Sequence, residues 1–92
     1  MNKYKLEYTN TMKKNLKLMQ KRGKNMSKMT EVLEILITGE PLPQHYNDHA
    51  LSGNYANYRE CHIESDWLLI YKIENERLTL VLSRTGTHSD LF

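Results

Sequence analysis

The chain has 92 residues, 39% apolar and 26% charged, with a net charge of +2 and a single cysteine. That is the composition of one globular domain, residues 1–92, with room for a modest core; it excludes a disordered polyion and a disulfide-stapled scaffold. No apolar run reaches the roughly 18–20 residues that cross a bilayer, and the opening MNKYKLEYTN lacks the apolar stretch of a secretory signal, so a reducing cytoplasm is expected.

Tyr4, Leu6 and Tyr8 alternate with Lys3, Lys5 and Glu7, the period of a half-buried strand. Thr9 or Asn10 is placed to cap a following helix, whose inner stripe is Met12, Leu16 and Met19. Gly23 stops it. The other side of this helix is basic: residues 1–30 carry nine Lys and Arg against one acid, a local balance of +8, whereas residues 31–92 balance at −6. Such a segment is an electrostatic footprint for polyphosphate, or else a solvated lysine face.

A second helix is predicted over Ser27–Thr38, with Met29, Val32, Leu33, Leu36 and Ile37 inside and Gly39 closing it. The two helices form an αα-hairpin. Pro41 and Pro43 then forbid regular helix, and the polar stretch QHYNDHALSGN reads as a loop.

From Tyr55 onward the pattern is β. Glu60, His62 and Glu64 share one side of a strand, and Cys61 and Ile63 the other. Trp67–Ile73 is an apolar strand, and Arg77–Arg84 the next, after a turn at Glu74–Glu76. The last residues leave room for a short final strand. The expected fold is therefore a two-layer α+β domain. It has an N-terminal strand, an αα-hairpin and a mainly antiparallel sheet of three to four strands, with both helices on one face and the other face open.

Four histidines, at positions 45, 49, 62 and 88, lie outside the predicted helices, with Asp48, Asp66 and Asp90 close by in sequence. Histidine suits proton transfer near neutral pH. Cleavage of RNA needs one group to take the 2′-hydroxyl proton, one to protonate the leaving 5′-oxygen, and a cation for the phosphorane. Arg84 or Arg59 supplies that cation. Trp67, Phe92 and the tyrosines are candidates to stack on an unpaired base. The segment Arg84–Phe92, RTGTHSDLF, concentrates a guanidinium, an imidazole and an aromatic ring within nine residues.

Plainer readings compete with these. His45 reads as a surface residue and Trp67 as core. Cys61 shares its side with Ile63 and so reads as a buried, inert thiol. A zinc site from His45, His49, His62 and Asp66 lacks any recognised ligand spacing. Phosphate-loop, dinucleotide-binding and serine-hydrolase motifs are absent.

In combination, GEPLPQHYNDHALSGN, YRECHIESDWLLIYKI and LSRTGTHSDLF resemble the YafQ branch of the RelE/ParE bacterial toxin superfamily. The N-terminal YKLEYTNTMKKNLKLMQKRGKNMSKMTEVLEIL also fits, so the resemblance covers essentially the whole chain. It implies a type II toxin that enters the ribosomal A site and cuts the displayed mRNA; the expected mechanism is acid–base transesterification with no metal or cofactor. It also implies silencing by a DinJ- or RelB-type antitoxin, in a complex that binds operator DNA through the antitoxin. The implied catalytic set is His49, His62, Asp66 and His88, with Trp67, Arg84 and Phe92 at the mRNA site. The basic helix residues Lys13, Lys14, Lys17, Lys21 and Arg22 would then hold ribosomal RNA. Two alternatives are a non-catalytic RNA- or ribosome-binding module and a toxin of this fold with another target, such as gyrase in the ParE group. Neither needs a set of proton-transfer groups.

Overall fold

The structure is a computed structural model that describes residues 2–92. In chain order it contains β1 (Lys5–Tyr8), α1 (Asn10–Lys21), α2 (Met26–Ile37), β2 (His49–Ala50), β3 (Arg59–Glu64), β4 (Trp67–Glu74), β5 (Thr79–Gly86) and α3 (His88–Leu91). Single 3-10 turns at Gln44–Tyr46 and Gly53–Tyr55 flank β2.

Thr9 starts α1: its Oγ1 accepts from the Met12 amide at 3.0 Å and donates to the Ser83 carbonyl at 2.7 Å, tying the helix start to β5. Gly23, at a φ of 80°, turns the chain out of α1. Asn25 caps α2 by accepting from the Ser27 amide. Met12 and Met19 of α1, with Met29, Val32 and Leu36 of α2, are buried against the sheet.

The strands form one sheet in the order β1-β5-β4-β3-β2. β1 runs parallel to β5, because the αα-hairpin carries the chain across the sheet before it returns; the other pairs are antiparallel. The sheet therefore has five strands, more than the sequence pattern suggests. The extra strand, β2, is two residues long within the polar loop, where His49 pairs with Glu60 and Ala50 with Arg59. Two residues are too few to show alternation. The chain end is also a helix rather than a strand. Thr87 and Asp90 build a reciprocal capping box there.

The helix-side core includes Cys61, Ile63, Trp67, Leu69 and Tyr71. The second face is not wholly open, as the sequence pattern implied. Leu68, Ile70 and Leu91 are buried there, with Leu51, Tyr55 and Tyr58 packed against them. The loop after β2 and the C-terminal helix thus cover part of this face and leave the rest to polar side chains.

Trp67 belongs to the helix-side core. It is fully buried, and its indole Nε1 donates to Thr85 Oγ1 at 2.9 Å. Thr85 Oγ1 in turn donates to the Leu68 carbonyl at 2.6 Å. This overturns Trp67 as a residue that touches mRNA: the parity of β4 sends it under the helices. Cys61 is buried on the same side, and burial pushes its thiol pKa well up, so it is not a nucleophile. Replacing Trp67 by Phe removes the buried donor and is expected to cost about 1–2 kcal/mol of stability, read as a lower urea midpoint.

Candidate active site

The register of the sheet assembles the site. His49 pairs with Glu60, Glu60 with Ile70 and Ile70 with Arg84, so these four form one row across β2, β3, β4 and β5. The adjacent row is His62, Leu68 and Gly86. Side chains in such rows share a face and sit about 5 Å apart. His88, two residues past Gly86, opens α3 at the end of the second row.

Three imidazoles consequently lie in a line. Ring centroids are 6.4 Å apart for His49 and His62, and 5.9 Å for His62 and His88. His49 Nδ1 donates to the Asn47 carbonyl at 2.8 Å, which leaves Nε2 facing Glu60 Oε1 at 3.4 Å. His62 Nε2 lies 3.9 Å from the same oxygen. The Glu60 side chain is only 8% exposed, so its charge depends on these two rings for company.

Asp66, in the turn between β3 and β4, organises His88. One oxygen, Oδ1, accepts from the His88 amide at 3.0 Å and from its Nδ1 at 2.6 Å. The remaining ring nitrogen, Nε2, is left for a substrate. These hydrogen bonds hold the Asp66 carboxyl below its ordinary range.

Arg84 reaches the same face. Its Nη1 donates to Tyr55 Oη at 2.8 Å and its Nη2 to the Asp90 carbonyl at 3.3 Å, while Nε is buried without a partner. Tyr55 meets the Phe92 ring edge-on at 6.1 Å between centroids. Phe92 itself is 66% exposed, so it offers an aromatic surface beside a guanidinium.

His49 is also fixed from behind. Asp48 accepts from Tyr71 Oη at 2.6 Å and from Arg59 Nε and Nη2 at 3.2 and 3.1 Å. The neighbouring Asn47 takes a left-handed φ of 49°. Burial and this carboxylate push the Tyr71 phenol well up, so it stays a neutral donor.

The structure thus brings His49, His62, Asp66, His88, Arg84 and Phe92 to one face. Arg59 is drawn off to Asp48. His45 packs on Tyr46 beside Lys28, Glu31 and Ile63 and is not part of the row. Among the described residues no three His, Cys, Asp or Glu side chains gather as metal ligands. Glu60 and Tyr55 are the residues whose parts sequence reasoning missed. The side of the strand that Glu60 occupies was readable, but its burial between two imidazoles was not.

On α1, Lys13, Lys14, Lys17 and Lys21 are exposed, and among the described residues none is in an ion pair. Arg22 differs, because it forms an ion pair with Asp90 at 2.6 Å and is not a free cation of the helix surface.

Residues 4–92 match the family described as the bacterial toxin of a type II toxin–antitoxin system, YafQ. The chain belongs to the YafQ toxin family. It is 44% identical over 88 residues to the mRNA interferase toxin YafQ of Escherichia coli strain K12, covering 95% of this chain and 94% of that one. The putative toxin YafQ of Haemophilus influenzae is 38% identical over 90 residues, 92% of this chain and 88% of its own. The crystal structure of the E. coli DinJ–YafQ toxin–antitoxin complex superposes with a TM-score of 0.89 at 43% identity, covering 98% of each chain.

A depressed carboxyl gives stability that is complete above the unfolded Asp value and is lost as pH falls through the lower, folded one. The contact of Asp66 with His88 should therefore outlast ordinary carboxylates on acidification. In a carboxyl-detected NMR titration, Asp66 is expected to titrate below free aspartate, and His88→Ala should move it only part of the way back, because the His88 amide still donates to Oδ1.

Proposed function

We propose that this chain is an mRNA interferase toxin that cuts mRNA in the ribosomal A site by metal-free transesterification. The observation that carries the reading is the line of three imidazoles flanked by Asp66 and Arg84 beside an exposed Phe92. Its chemistry is acid–base. A neutral imidazole takes the 2′-hydroxyl proton as the 2′-oxygen attacks phosphorus, and an imidazolium gives its proton to the 5′-oxygen as that bond breaks. The products are a 2′,3′-cyclic phosphate and a 5′-hydroxyl end. His49, His62 and His88 share these transfers, with Asp66 holding His88. Arg84 answers the charge that builds on the phosphorane. Phe92 stacks on a base and holds the attacking oxygen in line. His and Arg supply both proton transfers and the cation, so the step needs no metal.

The E. coli relative crystallised with DinJ supports a cognate antitoxin as partner; operator DNA bound through that antitoxin is part of the same proposal. The exposed lysines of α1 support ribosomal RNA as the second polyanion.

His88→Ala is expected to slow cleavage by about 100- to 10,000-fold, and Phe92→Ala to weaken it as well, in primer-extension mapping of mRNA on translating ribosomes. Full activity in both variants would remove the tail from the mechanism. Abolition by a chelator with specific rescue by zinc, magnesium held constant, would favour a metal. Reversing Lys13, Lys14 and Lys17 to Glu should weaken ribosome binding and flatten its log–log salt dependence by roughly two to three units. An unchanged slope would return these lysines to a solvated face.

A further inference from the structure

We propose that Arg22 and Asp90 form a clasp that positions the C-terminal helix, and with it His88 and Phe92. The inference rests on the reading above for its consequence, but its geometry is independent of it. α3 is four residues long, and a helix that short does not hold itself in water. Its order must come from what it touches.

Asp90 is the hub of those contacts. Arg22 grips its carboxylate with both terminal nitrogens, Nη1 to Oδ2 at 2.6 Å and Nη2 to Oδ1 at 3.0 Å. The same Oδ2 accepts from the Thr87 amide at 2.9 Å and from Thr87 Oγ1 at 3.0 Å. The Asp90 carbonyl takes Arg84 Nη2. Gly86 lets the strand close on this residue, since a Cβ there would lie 2.8 Å from Asp90 Cβ. These contacts hold the Asp90 carboxyl far below the carboxylate range.

Arg22 lies 68 residues away in sequence, just past the end of α1. Among the described residues it is the one long-range polar anchor on the Asp90 side chain; Arg84 holds the Asp90 carbonyl, Asp66 holds His88, and Leu91 is buried against the sheet. An exposed ion pair is usually weak, but a two-toothed guanidinium–carboxylate fork fixes direction as well as distance. Little energy is needed to choose between a docked and a frayed four-residue helix. Arg22 is therefore a positioning residue, unlike the free lysines before it.

The test uses the full chain. Amide heteronuclear NOE values for His88–Phe92 are measured in the wild type and in Arg22→Ala, Asp90→Ala and Asp90→Asn, the last keeping a cap acceptor if Asp90→Ala fails to fold. Values should fall in all three variants. Unchanged order would overturn the clasp whether or not the protein cuts RNA. Saturating cleavage on ribosomes should drop about tenfold in Arg22→Ala while ribosome affinity stays within about twofold. Arg22→Lys should not restore it, since an ammonium cannot fork. The double variant Arg22→Ala with Asp90→Ala should be no slower than Asp90→Ala. Weaker ribosome binding in Arg22→Ala, with an ordered tail and normal saturating rate, would make Arg22 an RNA contact and overturn the proposal. Absence of cleavage by the wild type would instead count against the proposed function, and the NOE values would still decide the clasp.

Discussion

The middle of β4 has no solvent side. Trp67, Leu69 and Tyr71 pack under the two helices while Leu68 and Ile70 are covered from below by Leu91 and the loop after β2. Burial at about 25 cal/mol per Å² makes this doubly covered run the main source of cohesion in a chain this small. It also dictates where the chemistry stands. Three of the polar candidates on the lower face are aligned by register to residues of β4, Glu60 and Arg84 to Ile70 and His62 to Leu68. A slip of one residue would send the imidazole of His62 into the helix-side core and Cys61 out to the site.

Charge is distributed with the same economy. The row of imidazoles is matched by carboxylates that each do one thing: Glu60 sits between two rings, Asp66 orients the third, and Asp48 ties down the turn before His49. The lysines of α1 stand apart from this row and remain unpaired among the described residues. One protein thus presents a cationic helix surface and a row of polar side chains on the opposite face of the sheet.

Much of this was legible. The Met12–Leu16–Met19 stripe, Thr9 as a cap, and the opposite sides of Cys61 and His62 followed from period and parity alone, because a buried face imposes them. The candidate set came from the family resemblance, and the fold places His49, His62, Asp66 and His88 near one another. What stayed hidden was whatever depends on pairing between distant segments. A two-residue strand leaves no period. Trp67 reads as core from its apolar run, whereas the resemblance puts it at the mRNA site, and the register of β4 sides with the core. Arg22 looks like one more cation of a basic helix until Asp90, from the far end of the chain, is laid against it. The capping-box spacing of Thr87 and Asp90 was readable and argued for a helix where a strand was allowed.

The three imidazoles are contributed by β2, β3 and α3, three elements that meet only when the sheet is paired across β5, β4, β3 and β2. No local segment contains two of them in working order. The proposed nuclease is consequently a property of the completed fold only. During synthesis the segment from Arg84 to Phe92 emerges after α1, β2 and β3, so a growing chain carries the lysines of α1 well before the candidate site can assemble. Until that segment docks, His88 is missing from the row and Arg84 has neither Tyr55 nor the Asp90 carbonyl to hold it.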